Sequence, residues 1–407
     1  MRTLLTKLGP GLLYAGAAVG VSHLIQSTRA GANYGLIMII VVIVANVLKY
    51  PFFKAAPIFT SIQKKSAIEA FHEMGKWPML LFYAITILPM FIVQAVIALI
   101  TASIMGNIFN IQAPLWLTAS LILLFCGLIL IFGKYQLLSK TMKYVILLLS
   151  GASIVTLLAA IFGTNQNINF TTEFSFLKEN HLFFLIALVG WMPAPLDIGI
   201  WHSEWTLENQ KLNPDINLRQ NKLDFNIGYW GTTLLAIIFV ALGSLLLNGK
   251  GVELPESGVA FAAVIIEMYT SVLGDWSYLF IAIAAFTTML STTLTVLDAY
   301  PRVLSNAIPL SLPRLKIGYS KLYIIVLMGL ILGSFIVLKY QLENMKQLVD
   351  LATSISFLTA PILAILFLRM IKPIKNQVWN KTENFIAKIG LVFLFTFSFY
   401  YIWMKWF

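Results

Sequence analysis

The sequence predicts an all-α polytopic membrane protein, and three observations carry that prediction. Hydrophobic residues make up 59% of the 407 and charged ones only 11%, against about 45–50% and about 25% in soluble globular chains. The apolar residues fall in runs close to the roughly 20 residues that cross the hydrocarbon core of a bilayer. Lysines and arginines gather in alternate connections between those runs, the asymmetry that the positive-inside rule describes. This composition excludes a disordered chain, a disulfide-stapled secreted domain and an ordinary cytosolic enzyme. One transmembrane domain, 1–407, is expected.

Eleven runs lie near 8–28, 35–53, 79–104, 114–132, 144–162, 182–201, 226–247, 276–298, 322–338, 348–368 and 385–404, and we number the helices they predict 1 to 11. Arg2, Lys7 and the small residues Ala15-Gly16-Ala17 give the first run the look of a cleaved signal. Ten further runs follow it, so it reads as a span. The shorter stretch 259–273 follows Pro255 and carries Glu267, a costly group to turn toward lipid. It reads as a partly buried helix inside an external loop.

With the amino terminus inside, Arg29, Lys178, Lys250, Lys339, Lys346 and Lys405 fall outside, and the other 22 of 28 Lys and Arg are cytoplasmic. Lys49, Lys54, Lys64, Lys65 and Lys76 form one such cluster, and Arg369, Lys372 and Lys375 begin another. The net charge of +11 is therefore a topology signal, and no soluble domain is left to bind nucleic acid. Cys126 stands alone in an apolar run and reads as a packed small hydrophobe. The four histidines (His23, His72, His181 and His202) make no zinc-finger or catalytic string.

Two runs are interrupted in their middles. Helix 6 carries Gly190, Pro193 and Pro195, and two prolines that close together cannot continue an α-helix, since each lacks the N–H and clashes with the preceding turn. Helix 1 carries Gly16, Gly20 and Ser22, followed by His23. Broken helices at bilayer depth are tolerated where the freed backbone lines a site. The two lie five spans apart, and an odd repeat length inverts the second copy. Helices 1–5 (about 8–162) and 6–10 (about 182–368) then form a five-plus-five inverted repeat, with helix 11 (about 385–404) added.

At these residues the chain resembles the NRAMP family of divalent-metal transporters. Gly9-Pro10-Gly11 opens helix 1 and Arg29-Ala30-Gly31-Ala32 closes it, similar to the family's GPG and QAGA segments. Met192-Pro193 and His202-Ser203 are similar to its MPH…HS in helix 6, and the hydroxyl-rich helix 8 and helix 10 resemble their counterparts. The resemblance implies the LeuT/APC-type fold with helices 1 and 6 broken. It also shows departures at the binding site. The family's DPGN aligns with Gly20-Val21-Ser22-His23, so the metal-binding Asp becomes Gly20 and the Asn becomes His23. Its Met is kept as Met192, its next His becomes Ala194, its helix-10 Gln aligns with Thr359, and Gln94 is the nearest counterpart of the helix-3 acidic residues.

Each candidate has a functional and a structural reading. His23, beside the Met192 thioether and free carbonyls around Gly20 and Val189, suits a borderline or soft divalent ion. Alternatively it bonds a helix-6 carbonyl and ties the two broken helices together. Asp197 stands where the second half of helix 6 begins, as an N-cap, as the anion that replaces the missing Asp, or as both. Met192 is a ligand or a filler of irregular core space. Thr288, Ser291 and Thr292, with Thr287, Thr293 and Thr295, bond their own helix and its neighbours, or line a pathway or a sodium site. Gln94 is a further pathway candidate. His202 and Glu204 serve proton release to the cytoplasm or form a solvated helix end. Asp298 and Arg302, one turn apart, pair structurally.

The expectation is a secondary transporter of the bacterial inner membrane, amino terminus cytoplasmic, moving a divalent cation by alternating access. The cation is its substrate, no cofactor is called for, and the bilayer and a small ion or solute are its partners, with no nucleic acid and no obligate protein. Loss of the helix-1 Asp keeps a second reading open: a same-fold carrier of a small organic solute or anion, driven by sodium. A sensor or intramembrane enzyme has no catalytic constellation behind it.

Overall fold

The computed structural model describes residues 9–132, 135–163, 174–175, 178–249, 258–340 and 345–406. Arg2, Lys7, Lys250 and Pro255 lie outside them. Helix 1 runs in pieces from Pro10 to Tyr34, helix 2 is Met38–Gln63 and helix 3 is Lys76–Phe109. Helix 4 is Leu115–Phe132, helix 5 Tyr135–Gly163, and helix 6 is split into Glu179–Gly190 (6a) and Ile198–Leu212 (6b). Helices 7 to 11 are Leu218–Leu246, Tyr278–Ser311, Tyr319–Tyr340, Met345–Ile371 and Lys381–Trp406. Each predicted run therefore coincides with a helix, and 259–273 forms the additional helix Gly258–Leu273 with Glu267 exposed. Among the described residues eight helical runs are long and apolar enough to cross a membrane, Pro10–Gln63 counting as one.

Burial sorts the bundle. The apolar windows of helices 3 and 8 are 72% and 67% buried, while those of helices 9 and 11 are 33% and 28%. Helices 3 and 8 are thus interior columns, and helices 9 and 11 turn side chains such as Leu332, Val392 and Phe399 outward. An outer surface this apolar suits lipid, since soluble monomers rarely expose contiguous patches of that kind. Pro51 and Pro57 in helix 2, Pro89 in helix 3, Pro301 and Pro309 in helix 8 and Pro361 in helix 10 all sit inside continuous helices. The closely spaced Pro193 and Pro195 are where a helix stops.

Helix 1 is fastened to helix 7 along its length. A Cβ at Gly11 would lie 2.1 Å from the carbonyl oxygen of Asp224, and one at Gly31 would lie 2.0 Å from that of Val240. Only glycine permits backbones this close. Between these contacts His23 Nε2 meets the Thr232 carbonyl at 2.9 Å. At the start of helix 1 the Asp224 carboxylate accepts the N–H groups of Gly9 (3.1 Å) and Gly11 (2.7 Å), donors that the helix itself leaves unpaired. Replacing Asp224 by alanine is expected to remove this cap, worth about 1–2 kcal/mol. Amide hydrogen exchange at residues 11–13 is then expected to accelerate roughly tenfold, with helix 8 unchanged; unchanged exchange at 11–13 would show the cap to be idle.

Helix 2 joins the same group. Asn46 accepts from Tyr229 through its carbonyl (2.6 Å) and from Thr233 through its side chain (2.8 Å). Tyr50 donates to Asn226 at 2.8 Å. Lys54, expected in a loop, is buried in helix 2 and pairs with Glu383 at the start of helix 11.

Candidate functional site

Both predicted breaks exist. Helix 1 is α-helical over Pro10–Ala18, opens at Val19 and Gly20, resumes as a π-helix over Val21–Ser27 and returns to α-helix over Thr28–Tyr34. Helix 6a ends at Gly190 and helix 6b starts at Ile198, with a cis peptide at Met192-Pro193 between them. Wide turns of the π type are rare and concentrate at functional sites. The two breaks meet: Ser27 Oγ lies 3.8 Å from Met192 Sδ, and both residues are fully buried.

The backbone oxygens released by the breaks are not free, which corrects the expectation for Gly20 and Val189. The Gly20 carbonyl accepts the N–H groups of His23 (3.2 Å) and Leu24 (2.9 Å). Thr292 Oγ of helix 8 donates within reach of the Gly16 (2.9 Å) and Val19 (3.2 Å) carbonyls. It also explains the glycine, because a Cβ at Gly20 would lie 2.7 Å from that hydroxyl. Thr292 of helix 8 fills the space that a side chain at position 20 would need. On helix 6 the carbonyls of Val189 and Gly190 accept from the ammonium of Lys49, at 2.6 and 3.0 Å. Lys49, counted with the cytoplasmic cations although it lies inside the run 35–53, is halfway along helix 2 with no exposed surface.

His23 is fully buried and both its ring nitrogens are engaged. Nδ1 lies 2.7 Å from Ser22 Oγ and 3.0 Å from the Ala18 carbonyl, while Nε2 meets Thr232 of helix 7. The histidine therefore ties helix 1 to helix 7 rather than to helix 6. Ligation through it requires one of these contacts to open, and leaving a buried polar group unpaired costs about 1–3 kcal/mol.

Asp197 occupies the N-cap position of helix 6b but makes no side-chain capping bond, and its Oδ1 has no partner. It is 8% exposed. Thr359 bonds its own helix at Ser356 (3.0 Å), with no contact to helix 1 or 6 among its hydrogen bonds. Gln94 reaches the Thr293 carbonyl at 3.4 Å and leaves its Oε1 unpaired. Thr288 donates to Ala284, Thr293 to Met289 and Thr295 to Ser291, each within helix 8, whereas Ser291 Oγ is unpartnered.

His202 and Glu204 are buried rather than solvated. The His202 ring stacks on Tyr14 with centroids 5.6 Å apart, and Glu204 accepts from Asn306 at 2.7 Å. His202 Nδ1 and Glu204 Oε1 have no partner, which leaves a polar seam along helix 6b. Asp298 and Arg302 pair as expected, at 2.9 and 3.0 Å, and Tyr323 joins them.

Between the breaks lies a cavity of about 20 Å³, room for a single water molecule. Ala17, Ala18, Val21 and Ser22 of helix 1 face Val93 and Ile97 of helix 3 across it. Trp191, Pro195, Ile198 and Trp201 of helix 6 and Thr292 and Val296 of helix 8 close the remaining sides. On the far side of the break from Pro10, Arg29 of helix 1 pairs with Asp350 of helix 10 at 2.9 Å, and Gln26 joins both. The guanidinium stands 5.1 Å over the Phe184 ring of helix 6a. Helices 1, 6a and 10 thus meet on this side of the helix-1 break.

A family model described as natural resistance-associated macrophage protein-like matches residues 11–404. The chain belongs to the Nramp family. An uncharacterised protein of Pasteurella multocida is 31% identical over 401 residues, covering 97% of this chain and 91% of its own. Among solved structures, a mutant of the Eremococcus coleocola manganese transporter is similar with a TM-score of 0.72 at 14% identity, over 98% of this chain and 86% of that one. MhsT in complex with L-phenylalanine is similar with a TM-score of 0.63 at 14% identity (96% and 98% covered). Mhp1, a nucleobase-cation-symport-1 transporter, gives 0.61 at 12% (98% and 92%). These likenesses place the chain in the LeuT-type transporter fold. As an Nramp protein it is an integral membrane transporter and not an enzyme.

Within the Nramp frame, sequence reasoning missed Lys49, Asp224 and the Arg29–Asp350 pair. A signal existed for Lys49: the helical run does not stop there but continues through Tyr50, Pro51, Phe52 and Phe53 to Gln63. For Asp224 and Asp350 the partners are 213 and 321 residues away, with no local signature.

Proposed function

We propose that this Nramp protein is a secondary transporter that moves a divalent metal cation across the bacterial inner membrane by alternating access. Its amino terminus is cytoplasmic, and the cation is cargo rather than cofactor. The observation that carries the reading is the meeting of two broken helices around Ser27 and Met192, both fully buried. The stub of helix 6a offers two backbone oxygens that now hold Lys49, and the Met192 thioether adds a soft donor suited to a borderline or soft divalent ion more than to magnesium. Val189 and Gly190 contribute carbonyls, and His23 joins by releasing Thr232. Asp197, with its unpaired Oδ1, is the carboxylate closest along the chain to the helix-6 break. The two halves, about 8–162 and 182–368, exchange roles around this point, with helix 11 outside the repeat.

Calorimetric titration of the purified protein with Mn²⁺ tests the site. Saturable binding is expected in the parent. Replacing Met192 by alanine is expected to weaken it about tenfold, the order of one lost ligand interaction of about 1.4 kcal/mol. His23→Ala and Asp197→Ala should each weaken it as well. Parental affinity in all three variants would move the site elsewhere.

One observation favours a second reading, a carrier of a small organic solute. Among the described residues the lining of the cavity is apolar apart from Ser22 and Thr292, and no carboxylate contributes to it. Thermal stabilisation by sodium, without any effect of divalent metals, would select that reading.

A further inference from the structure

We propose that Lys49 is the resident cation of the cargo site and its selectivity determinant: the ammonium holds the Val189 and Gly190 carbonyls in the unloaded protein, and a divalent cation binds by displacing it. The inference deepens the cargo reading above and rests on it.

The geometry sets an ammonium where a cargo cation would sit. Lys49 Nζ is 2.6 and 3.0 Å from two consecutive carbonyl oxygens at the stub of helix 6a. Backbone carbonyls at a helix terminus carry partial negative charge and serve metal ions and ammonium groups alike. Two cations cannot share them. The stub itself is fixed, because a Cβ on Gly190 would lie only 2.5 Å from the Thr353 carbonyl of helix 10, so there is no room for it to retreat. The lysine, on a flexible four-carbon stem, is the partner that can leave.

The charge pattern points the same way. Lys49 has no exposed surface, and among the described residues no ion pair joins it to a carboxylate. An uncompensated cation at membrane depth is expensive and marks a functional position by default. Among the described residues no carboxylate lines the cavity between the two breaks. What faces the helix-6a carbonyls is an ammonium, not a carboxylate. A monovalent ion gains no more from these carbonyls than the ammonium it would replace, whereas a divalent ion gains about twice as much. Lys49 therefore selects against sodium and potassium and keeps divalent affinity moderate enough for release.

The test is a calorimetric titration with Mn²⁺ and, separately, Na⁺, on the full chain in lipid nanodiscs at one pH. Lys49→Gln keeps a donor for the carbonyls but no charge. It is expected to bind Mn²⁺ at least tenfold more tightly than the parent and to bind Na⁺ measurably. Lys49→Arg keeps the charge and grips the carbonyls through more donors, and it is expected to bind Mn²⁺ at least tenfold more weakly. Parental Mn²⁺ affinity in both variants would overturn the inference while leaving the cargo reading intact. Absence of Mn²⁺ binding in the parent and both variants, with melting temperatures retained, would overturn both. If Lys49→Gln does not fold, the Lys49→Arg comparison decides alone: weaker binding supports the displacement, and unchanged binding refutes it.

Discussion

Replacing Gly31 by alanine is expected to unseat helix 1 from helix 7 and abolish transport. The added methyl would sit 2.0 Å from the Val240 carbonyl oxygen and 2.7 Å from the Ser244 nitrogen, both backbone atoms. A side-chain neighbour could change rotamer, but a helix backbone cannot. The reciprocal contact is equally tight, since a Cβ on Gly243 would lie 2.2 Å from the Thr28 carbonyl. Overpacking in a close-packed core costs typically about 1–3 kcal/mol, and this site lacks the usual relief. Helix 1 must slide or tilt, which breaks the His23–Thr232 contact in the middle of the same interface. A fall in melting temperature of several degrees or more, with loss of uptake, is expected. Gly329→Ala on helix 9 is the control: a Cβ there meets nothing within 4 Å, so parental stability and activity are expected. Equal behaviour of the two variants would show that the helix 1–helix 7 contact is not what holds the break in place.

The second large effect concerns closure. Asp350→Asn leaves the Arg29 guanidinium, whose side chain is 5% exposed, without its anion. Breaking a fully buried pair costs about 3–5 kcal/mol, but the Asp350 side chain is 36% exposed, so water offsets much of this and about 1–2 kcal/mol is the reasonable figure. That moves an open–closed equilibrium by roughly five- to thirtyfold. The closed arrangement loses the link between helices 1, 6a and 10, so the population open on that side should grow. Cysteine labelling reads this out. Cys126 is buried, and replacing it by alanine gives a clean background. Ile104 of helix 3 lines a narrow space with Leu24, Ile25 and Phe261 and is 5% exposed. A cysteine placed there is expected to react with a membrane-impermeant maleimide about tenfold faster in the Asp350→Asn protein. An unchanged rate would mean that the ion pair decorates a closure made by packing alone.

Local covalent constraint was legible in the sequence, and long-range partnership was not. Gly190, Pro193 and Pro195 announce the helix-6 break because no arrangement of neighbours can return the missing N–H groups to so short a stretch. Helix 1 offered only glycines and a serine, residues that also serve ordinary membrane packing, and its π segment emerges from contacts with helices 7 and 8. Gly20 illustrates the limit. Alignment reads it as a missing aspartate, whereas the structure adds that Thr292 fills the vacated space and satisfies the freed carbonyls. His23 was identified as important, but its partner lies on helix 7, 209 residues away, where nothing in the local pattern distinguishes Thr232 from the adjacent Thr233. Counting Lys49 with the cytoplasmic cations conflicts with its place inside the run 35–53, and the helix continues past it through Pro51 and Pro57. Asp197 stands at the predicted start of helix 6b without a side-chain capping bond. Position along a helix can be read from sequence, while the rotamer that decides a cap depends on surroundings that sequence does not display.

In the proposed mechanism two interrupted helices present one cation site to each face of the membrane in turn. Flux through purified protein tests it most directly: liposomes containing the parent chain, loaded with a metal-sensitive dye and exposed to Mn²⁺, Fe²⁺, Co²⁺, Zn²⁺ or Mg²⁺. Saturable entry of at least one of these ions is expected, sharply reduced in Met192→Ala vesicles. Entry no faster than into protein-free liposomes for all five ions, from protein that remains folded, would contradict it.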